Sequence, residues 1–136
     1  MKITVDANIL FACIIREGNT RKLWFNSELI LFAPRFILEE FEKYKSDIKK
    51  KTGLETADFN LLQQKILQQI QFVSDEELKP FLPASATLSK DEKDWLYFAC
   101  ALKENTVIWS NDNEMKNQSR IIIKTTNELI EEIGLL

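Results

Sequence analysis

Histidine is entirely missing from this chain. Its absence excludes histidine triads, imidazole general acid–base chemistry, HExxH sites and zinc-deaminase sites. Glycine is nearly as scarce: Gly18, Gly53 and Gly134 are scattered, so neither a GxxxxGK[ST] phosphate loop nor a GxGxxG fingerprint can be written, and no nucleotide cofactor is expected. The two cysteines, Cys13 and Cys100, lie too far apart for a local zinc knuckle and are too few for a disulfide framework. Both are expected as buried thiols in a reducing compartment. The longest apolar run, Ile9 to Ile15, has 7 residues, well short of the roughly 18 to 20 that span a bilayer. Asp6 interrupts the apolar stretch near the N-terminus and no small-residue cleavage site follows, so no secretory pattern is present and a cytoplasmic location is expected.

The composition that remains, 45% hydrophobic and 29% charged over 136 residues, suits one globular domain covering residues 1–136. A net charge of −3 argues against binding nucleic acid by bulk electrostatics, although a local basic face can exist within an acidic total. Carboxylate is abundant, and a metal site built from oxygen ligands alone selects a hard cation, Mg²⁺ or Mn²⁺.

Short apolar runs alternate with longer amphipathic ones, without an internal repeat or linker, which predicts an α/β fold. Lys2 to Val5 reads as a first strand, ended by Asp6-Ala7-Asn8, with Ile9 to Ile15 continuing as buried helical turns. Thr20 is expected to cap a short helix running through Trp24. Leu29 to Phe32 is a second strand, and Pro34 is placed in the first turn of a helix that carries Phe36, Ile37, Phe41, Tyr44 and Ile48 at helical spacing. Thr56 opens another helix with Phe59, Leu61, Leu62, Ile66 and Ile70 facing inward, followed by a strand at Gln71 to Val73 and a loop with a short helix over Asp75 to Ala84. Ser89-Lys90-Asp91-Glu92 fits the S-x-x-E capping box and predicts a helix start at that point. Thr106 to Trp109 and Ile121 to Lys124 are the last strands. Thr125-Thr126-Asn127-Glu128 is a second box, opening a terminal helix that stops near Gly134. Trp24, Trp95 and Trp109 fall on apolar faces and are assigned to the core rather than to base stacking.

Two acids follow closely on predicted strands, Asp6 after Ile3-Thr4-Val5 and Asp112 after Val107-Ile108-Trp109. Open parallel sheets bind ligands outside the carboxyl ends of their strands, so both acids would project into one crevice. Asp91 and Asp94, three residues apart near a helix start, share a face, and Glu40 in the second turn of the Pro34 helix can face the same edge. Like charges gathered there repel, and a bound cation is the simplest relief. Each acid also has a plainer reading. Asp6 and Asp112 could be turn acids satisfying local amides, Asp91 a favourable charge at a helix N-terminus, and Glu40 one of several solvated helix acids. Gathered in a chain without histidine or a glycine loop, they point to a metal site.

The ordered set of motifs resembles that of PIN-domain proteins. I-T-V-D-A-N, with Asp6 and Asn8, is similar to the strand that leads into D-x-N. P-R-F-I-L-E-E-F, Pro34 to Phe41, resembles the second acidic motif, P-x(5)-E-[L/F], and selects Glu40 over Glu39. D-W-L-Y-F-A-C-A-L, Asp94 to Leu102, is similar to the D-x(4)-A-L-A-L helix, with Cys100 in place of the middle Leu. I-W-S-N-D, Ile108 to Asp112, resembles the [T/S]-x-D strand end, and I-I-I-K-T-T-N-E-L the closing strand and helix. The resemblance implies a three-layer α/β/α sandwich with a mostly parallel central sheet and an acidic Mg²⁺/Mn²⁺ nuclease site. It carries the catalytic and metal-binding roles onto Asp6, Glu40, Asp94 and Asp112, adds Asp91 as a further metal ligand, and makes Asn8, Ser110 and Glu114 supporting polar groups. Residues Gly53 to Ala86 match no motif.

Phosphodiester hydrolysis on such a site needs an activated water and stabilised charge on the phosphoryl oxygens, which carboxylate-held cations supply without histidine. RNA would enter as a single strand or loop, its phosphates met by Arg16, Arg21, Lys22, Lys43, Lys45, Lys49, Lys50 or Lys51. The same cations could equally form a solvated face that balances the 21 acids. A small single-domain PIN protein of this length resembles the toxins of VapBC-type toxin–antitoxin pairs, which implies a metal-dependent endoribonuclease, a homodimer and an antitoxin partner. The alternatives are a housekeeping RNA-processing PIN nuclease and a catalytically silent PIN-like interaction module. A phosphatase with Asp6 as nucleophile fails because Asn8 stands where a D-x-D hydrolase needs its second acid.

Overall fold

The computed structural model describes residues 1–134. Five strands, β1 (Lys2–Val5), β2 (Ile30–Pro34), β3 (Ile70–Val73), β4 (Val107–Trp109) and β5 (Ile123–Lys124), form one all-parallel sheet in the spatial order β3-β2-β1-β4-β5. Ile3, Thr4 and Val5 are fully buried, as a central parallel strand covered on both faces must be, and their β-branched side chains suit a pleat packed from two sides. The chain builds outward from β1 through β2 to β3, then crosses back to lay down β4 and β5 on the other flank. Strand order therefore reverses between β1 and β4, and the segments leaving those two strands diverge, opening a crevice at the carboxyl edge.

Eight α-helices accompany the sheet among the described residues: α1 (Ala7–Ile15), α2 (Asn19–Trp24), α3 (Phe36–Thr52), α4 (Thr56–Leu67), α5 (Asp75–Leu78), α6 (Leu82–Ala86), α7 (Glu92–Glu104) and α8 (Thr126–Ile133). α1 packs against α2, α3 and α4, and α2 against α8, whereas α7, braced by α5 and α6, lies against β1 and β2. This is the α/β sandwich expected from the sequence. Trp24 and Trp109 are core residues as expected, with ring centroids 6.1 Å apart. Their indole N–H groups donate to the Ile66 carbonyl at 2.9 Å and to Thr126 Oγ1 at 3.0 Å, so neither leaves a polar atom unpaired in the interior. Cys13 and Cys100 are buried free thiols, each pushed up to about 12 by burial. No helix among the described residues is long and apolar enough to cross a membrane.

Several expected details are corrected, each for a local reason. The second strand runs Ile30–Pro34 rather than Leu29 to Phe32, and Pro34 ends that strand instead of opening a helix. The amide of Arg35 donates to the Val73 carbonyl at 2.9 Å, so the rung beside Val73 is made without a proline N–H. Gly18, not Thr20, is the N-cap of α2. Inside that helix Arg21 reaches back to the Cys13 and Ile14 carbonyls at 2.9 and 3.0 Å, which sets the α1–α2 corner. Leu61 is 58% exposed rather than inward; it stands two residues from Phe59, on the opposite side of α4. Ile70 belongs to β3. Tyr44 is 40% exposed and covers the rim of the α1–α3 contact, its ring edge-on to Phe11 at 5.7 Å. The last strand keeps only Ile123 and Lys124, because the Gln118 side chain satisfies both backbone groups of Ile121 at 2.8 Å and Ile122 is left at the surface. The helix expected from Ser89 starts at Glu92 with Asp91 as its cap, Asp91 Oδ1 accepting from the Lys93 amide at 3.0 Å. The Ser89 hydroxyl is drawn away to the Asp94 carboxylate at 3.1 Å. Trp95 is half-buried rather than core, its indole N–H held by the Ser89 carbonyl at 2.8 Å. The box at Thr125 and Glu128, by contrast, forms as expected, and α8 ends at Gly134 with φ of 76°, a left-handed turn that favours glycine.

Candidate active site

Asp6 leaves β1 in an extended conformation and caps α1, its Oδ1 accepting from the Ile9 amide at 3.0 Å. Its Oδ2 accepts the hydroxyl of Ser110, which follows β4. Ser110 is itself fully buried, and its Oγ accepts from the Asp112 amide at 3.0 Å, so one hydroxyl joins the ends of the two strands that flank the switch point. Asp6 is 7% exposed. Burial pushes its carboxyl from 3.8 to about 6, overriding the bonds from Ser110 and Ile9, and the neighbouring charges of Asp112 and Asp94 add to the rise.

Asp94, in the first turn of α7, is half-buried. Burial raises its carboxyl, the Ser89 hydroxyl opposes the rise, and Asp91, Asp112 and Glu114 reinforce it. Asp112 is exposed and caps a 3₁₀ turn over Asn113–Lys116, Oδ1 accepting from the Glu114 amide at 3.0 Å. Glu40 comes from α3, and its Oε1 accepts the hydroxyl of Tyr97 at 2.6 Å. That hydroxyl is pushed upward by burial and by Glu40, and then by the charges of Asp6 and Asp94. Asp6, Asp94 and Asp112, from three separate stretches of chain, are therefore linked electrostatically around the crevice, and Glu40, from a fourth, is tied to α7 through the Tyr97 hydroxyl.

A cavity of about 740 Å³ opens beside Asp94, its walls also including Ser89, Asp91, Trp95, Glu114 and Asn117. A second, of about 610 Å³ between α1 and α3, is bordered by Asn8, Phe11, Glu40, Tyr44 and Lys51. Among the described residues no three His, Cys, Asp or Glu side chains already converge as a cage for a cation. The donor set is nevertheless all oxygen, and its carboxylates raise one another's affinity for protons. Such electrostatics are relieved by a hard divalent cation, so the residues present fit Mg²⁺ or Mn²⁺.

The basic residues expected at the site are spread more widely. Lys43 lies over the Tyr44 ring at 5.5 Å and borders a depression shared with Glu40. Lys45 pairs with Glu42 at 3.7 Å. Arg21 is occupied with the α1 carbonyls, Lys22 is exposed, and Arg16 lines a depression with Asn19 and Thr126. Lys49, Lys50 and Lys51 occupy the last turn of α3, Lys51 bordering the second cavity. The sequence reading missed Lys90, on the wall with Asp94, and Lys93, beside Glu40. It also missed Ser89 and Tyr97 as the hydrogen-bond partners of Asp94 and Glu40. The available signal for Tyr97 was its position three residues after Asp94, on one helix face.

Among solved structures the chain is similar to VapBC2 from Rickettsia felis, bound to a DNA fragment from their promoter. That match has 18% identity over 92% of this chain and 98% of that one, with a TM-score of 0.68. It is also similar to PAE2754 from Pyrobaculum aerophilum, at 17% identity over 100% of this chain and 91% of that one, with a TM-score of 0.71. At these identities the likeness is one of fold. No curated protein matches the sequence. The PIN domain family matches it over residues 4–133, from the middle of β1 to the end of α8, and the chain belongs to that family, whose members are generally nucleases.

Proposed function

We propose that this protein is a Mg²⁺- or Mn²⁺-dependent endoribonuclease and the toxin of a VapBC-type toxin–antitoxin pair. The observation that carries the reading is that Asp6 and Asp112 follow β1 and β4 at the reversal of strand order, joined through Ser110 and with Asp94 adding to the charge at Asp6, in a chain with no histidine to offer another chemistry. Asp6, Glu40, Asp94 and Asp112, with Asp91 on the cavity wall, would hold the cation, which when bound supplies an activated water and neutralises charge on the phosphoryl oxygens. Ser110 orients the Asp6 carboxylate and Ser89 that of Asp94. Asn8 and Glu114 border the two cavities as supporting polar groups. An RNA strand would enter unpaired, with Lys90, Lys93 and Lys43 nearest the acids and Lys45, Arg16, Arg21 and Lys22 further out. The likeness in fold to VapBC2 supports an antitoxin partner, and a homodimer in the cytoplasm belongs to the same reading.

A catalytically silent interaction module is favoured by one observation: both Asp6 oxygens already have hydrogen-bond donors, Ile9 and Ser110. Cleavage of a mixed single-stranded RNA pool with Mn²⁺ or Mg²⁺, compared with EDTA and with Asp6→Asn and Asp94→Asn, separates the two. The nuclease reading expects metal-dependent cutting that both variants lose. No cutting by folded, metal-loaded protein transfers the weight to the silent module.

A further inference from the structure

A glutamate beside an open depression can turn toward solvent or toward a neighbouring cation. Glu40 borders a depression of about 270 Å³ that also holds Lys43 and Lys93, yet the ion pairs among the described residues do not include it. Its Oε1 accepts the Tyr97 hydroxyl instead, at 2.6 Å. Tyr97 is 3% exposed and belongs to the main apolar core, so its ring is fixed by packing. A phenol donating to a carboxylate at this distance makes a strong, charge-assisted bond. Only Oε1 is engaged by it, so Oε2 is left for another ligand. Tyr97 stands three residues after Asp94 on the same face of α7, the helix that lies against β1, whose end leads into Asp6, which puts the hydroxyl among the acids and not merely beside one of them.

We infer that Tyr97 is the positioning residue for Glu40: its hydroxyl ties α3 to α7 and holds the Glu40 carboxylate toward Asp6 and Asp94, where it contributes to binding a divalent cation. The inference rests on the metal-nuclease reading above. The plainer account of the same bond is a buried hydroxyl that needs an acceptor, and this account expects a change in stability but none in cation affinity.

Tyr97→Phe removes one oxygen and keeps the ring. In titrations that follow free Mn²⁺ by electron paramagnetic resonance, with folding checked by circular dichroism, Tyr97→Phe is expected to bind Mn²⁺ about tenfold more weakly than wild type. Glu40→Gln should lose at least as much, and the double variant should bind no more weakly than Glu40→Gln alone, because Tyr97 acts through Glu40. Wild-type affinity in Tyr97→Phe beside an impaired Glu40→Gln, or losses that simply add in the double variant, overturns the inference and leaves the nuclease reading standing. A folded wild-type protein that binds no Mn²⁺ overturns both. A second readout survives even if Tyr97→Phe does not fold. In wild-type protein labelled with ¹³Cζ-tyrosine, Mg²⁺ should move the signal of Tyr97, told apart from that of Tyr44, the only other tyrosine, by Tyr44→Phe. An unmoved Tyr97 signal in Mg²⁺-saturated protein refutes the inference.

Discussion

The starts of α1 and α8 are built alike and behave oppositely. At each, a side-chain oxygen of the cap residue accepts the amide three residues on: Asp6 Oδ1 from Ile9 at 3.0 Å, Thr125 Oγ1 from Glu128 at 3.2 Å. At α8 the carboxylate is that of Glu128, exposed and held by Lys116 at 2.6 Å and by the Thr125 amide at 3.2 Å. Those partners, Lys116 foremost, pull it down to about 2. At α1 the carboxylate is the cap itself, and burial together with Asp112 and Asp94 pushes it up to about 6 although two donors point at it. Two hydrogen bonds lose to desolvation and like charge. A serine or threonine at position 6 would cap the helix without that penalty, so capping alone does not account for an aspartate there, whereas the proposed role in binding a cation would.

The sharpest way to break this contrast is Asp6→Asn, whose side-chain oxygen can keep the Ile9 bond while its NH2 group donates to the Ser110 hydroxyl in place of accepting from it. If Asp6 is a cation ligand, RNA cleavage under saturating substrate falls at least about 100-fold. The same substitution should stabilise the metal-free protein. The folded value of Asp6 lies above its unfolded 3.8, so its contribution to stability is full below about pH 4 and lost as the pH rises through about 6. At pH 7 the charged form costs about 3 kcal/mol. Urea unfolding in EDTA at pH 4 and pH 7 checks this: Asp6→Asn gains over wild type at pH 7 and little at pH 4, and equal stability at both refutes it.

Next in size is the cation dependence of the wild type. Mn²⁺ must compete with the proton on Asp6, so its affinity should fall several-fold between pH 7 and pH 5, read by isothermal titration calorimetry. A pH-independent affinity would remove Asp6 from the ligand set. At α8, Thr125→Ala should cost about 1 kcal/mol in chemical denaturation and leave cleavage at the wild-type rate; a drop in rate would mean that the two helix starts are not functionally distinct. Smallest is Glu128→Gln. The folded value of Glu128 lies below its unfolded 4.5, so its contribution is present above that pH and lost as the pH falls through about 2. The variant's melting temperature should lie below wild type at pH 7 and converge with it as the pH approaches 2, and a constant gap would refute the assignment.

How much of this was legible in the sequence can be followed residue by residue. The Thr125 box could be read because both members of the pair are local and nothing distant competes for them. The same pattern at Ser89 misled by two residues, because the Asp94 carboxylate attracts the Ser89 hydroxyl and Asp91 takes over the cap. Pro34 was misplaced because its tolerance in β2 depends on which neighbouring amide makes the rung, a property of the sheet. Trp95 and Tyr44 have apolar spacing but stand at rims, Trp95 on the wall of an open cavity and Tyr44 at the edge of the α1–α3 contact, which periodicity alone does not reveal.

Strand and helix periods, the oxygen-only inventory of acids, and their positions just after β1 and β4 or early in α3 and α7 were set by the chain itself, because these depend on contacts a few residues apart. The tertiary structure alone decided that β1 and β4 are neighbours at the reversal of strand order. It also decided that Ser110 bridges Asp6 to Asp112 and that Tyr97 meets Glu40. The raised carboxyl of Asp6 arises from burial and from charges brought in by distant segments, and a pKa of that kind exists only once the chain has closed around it.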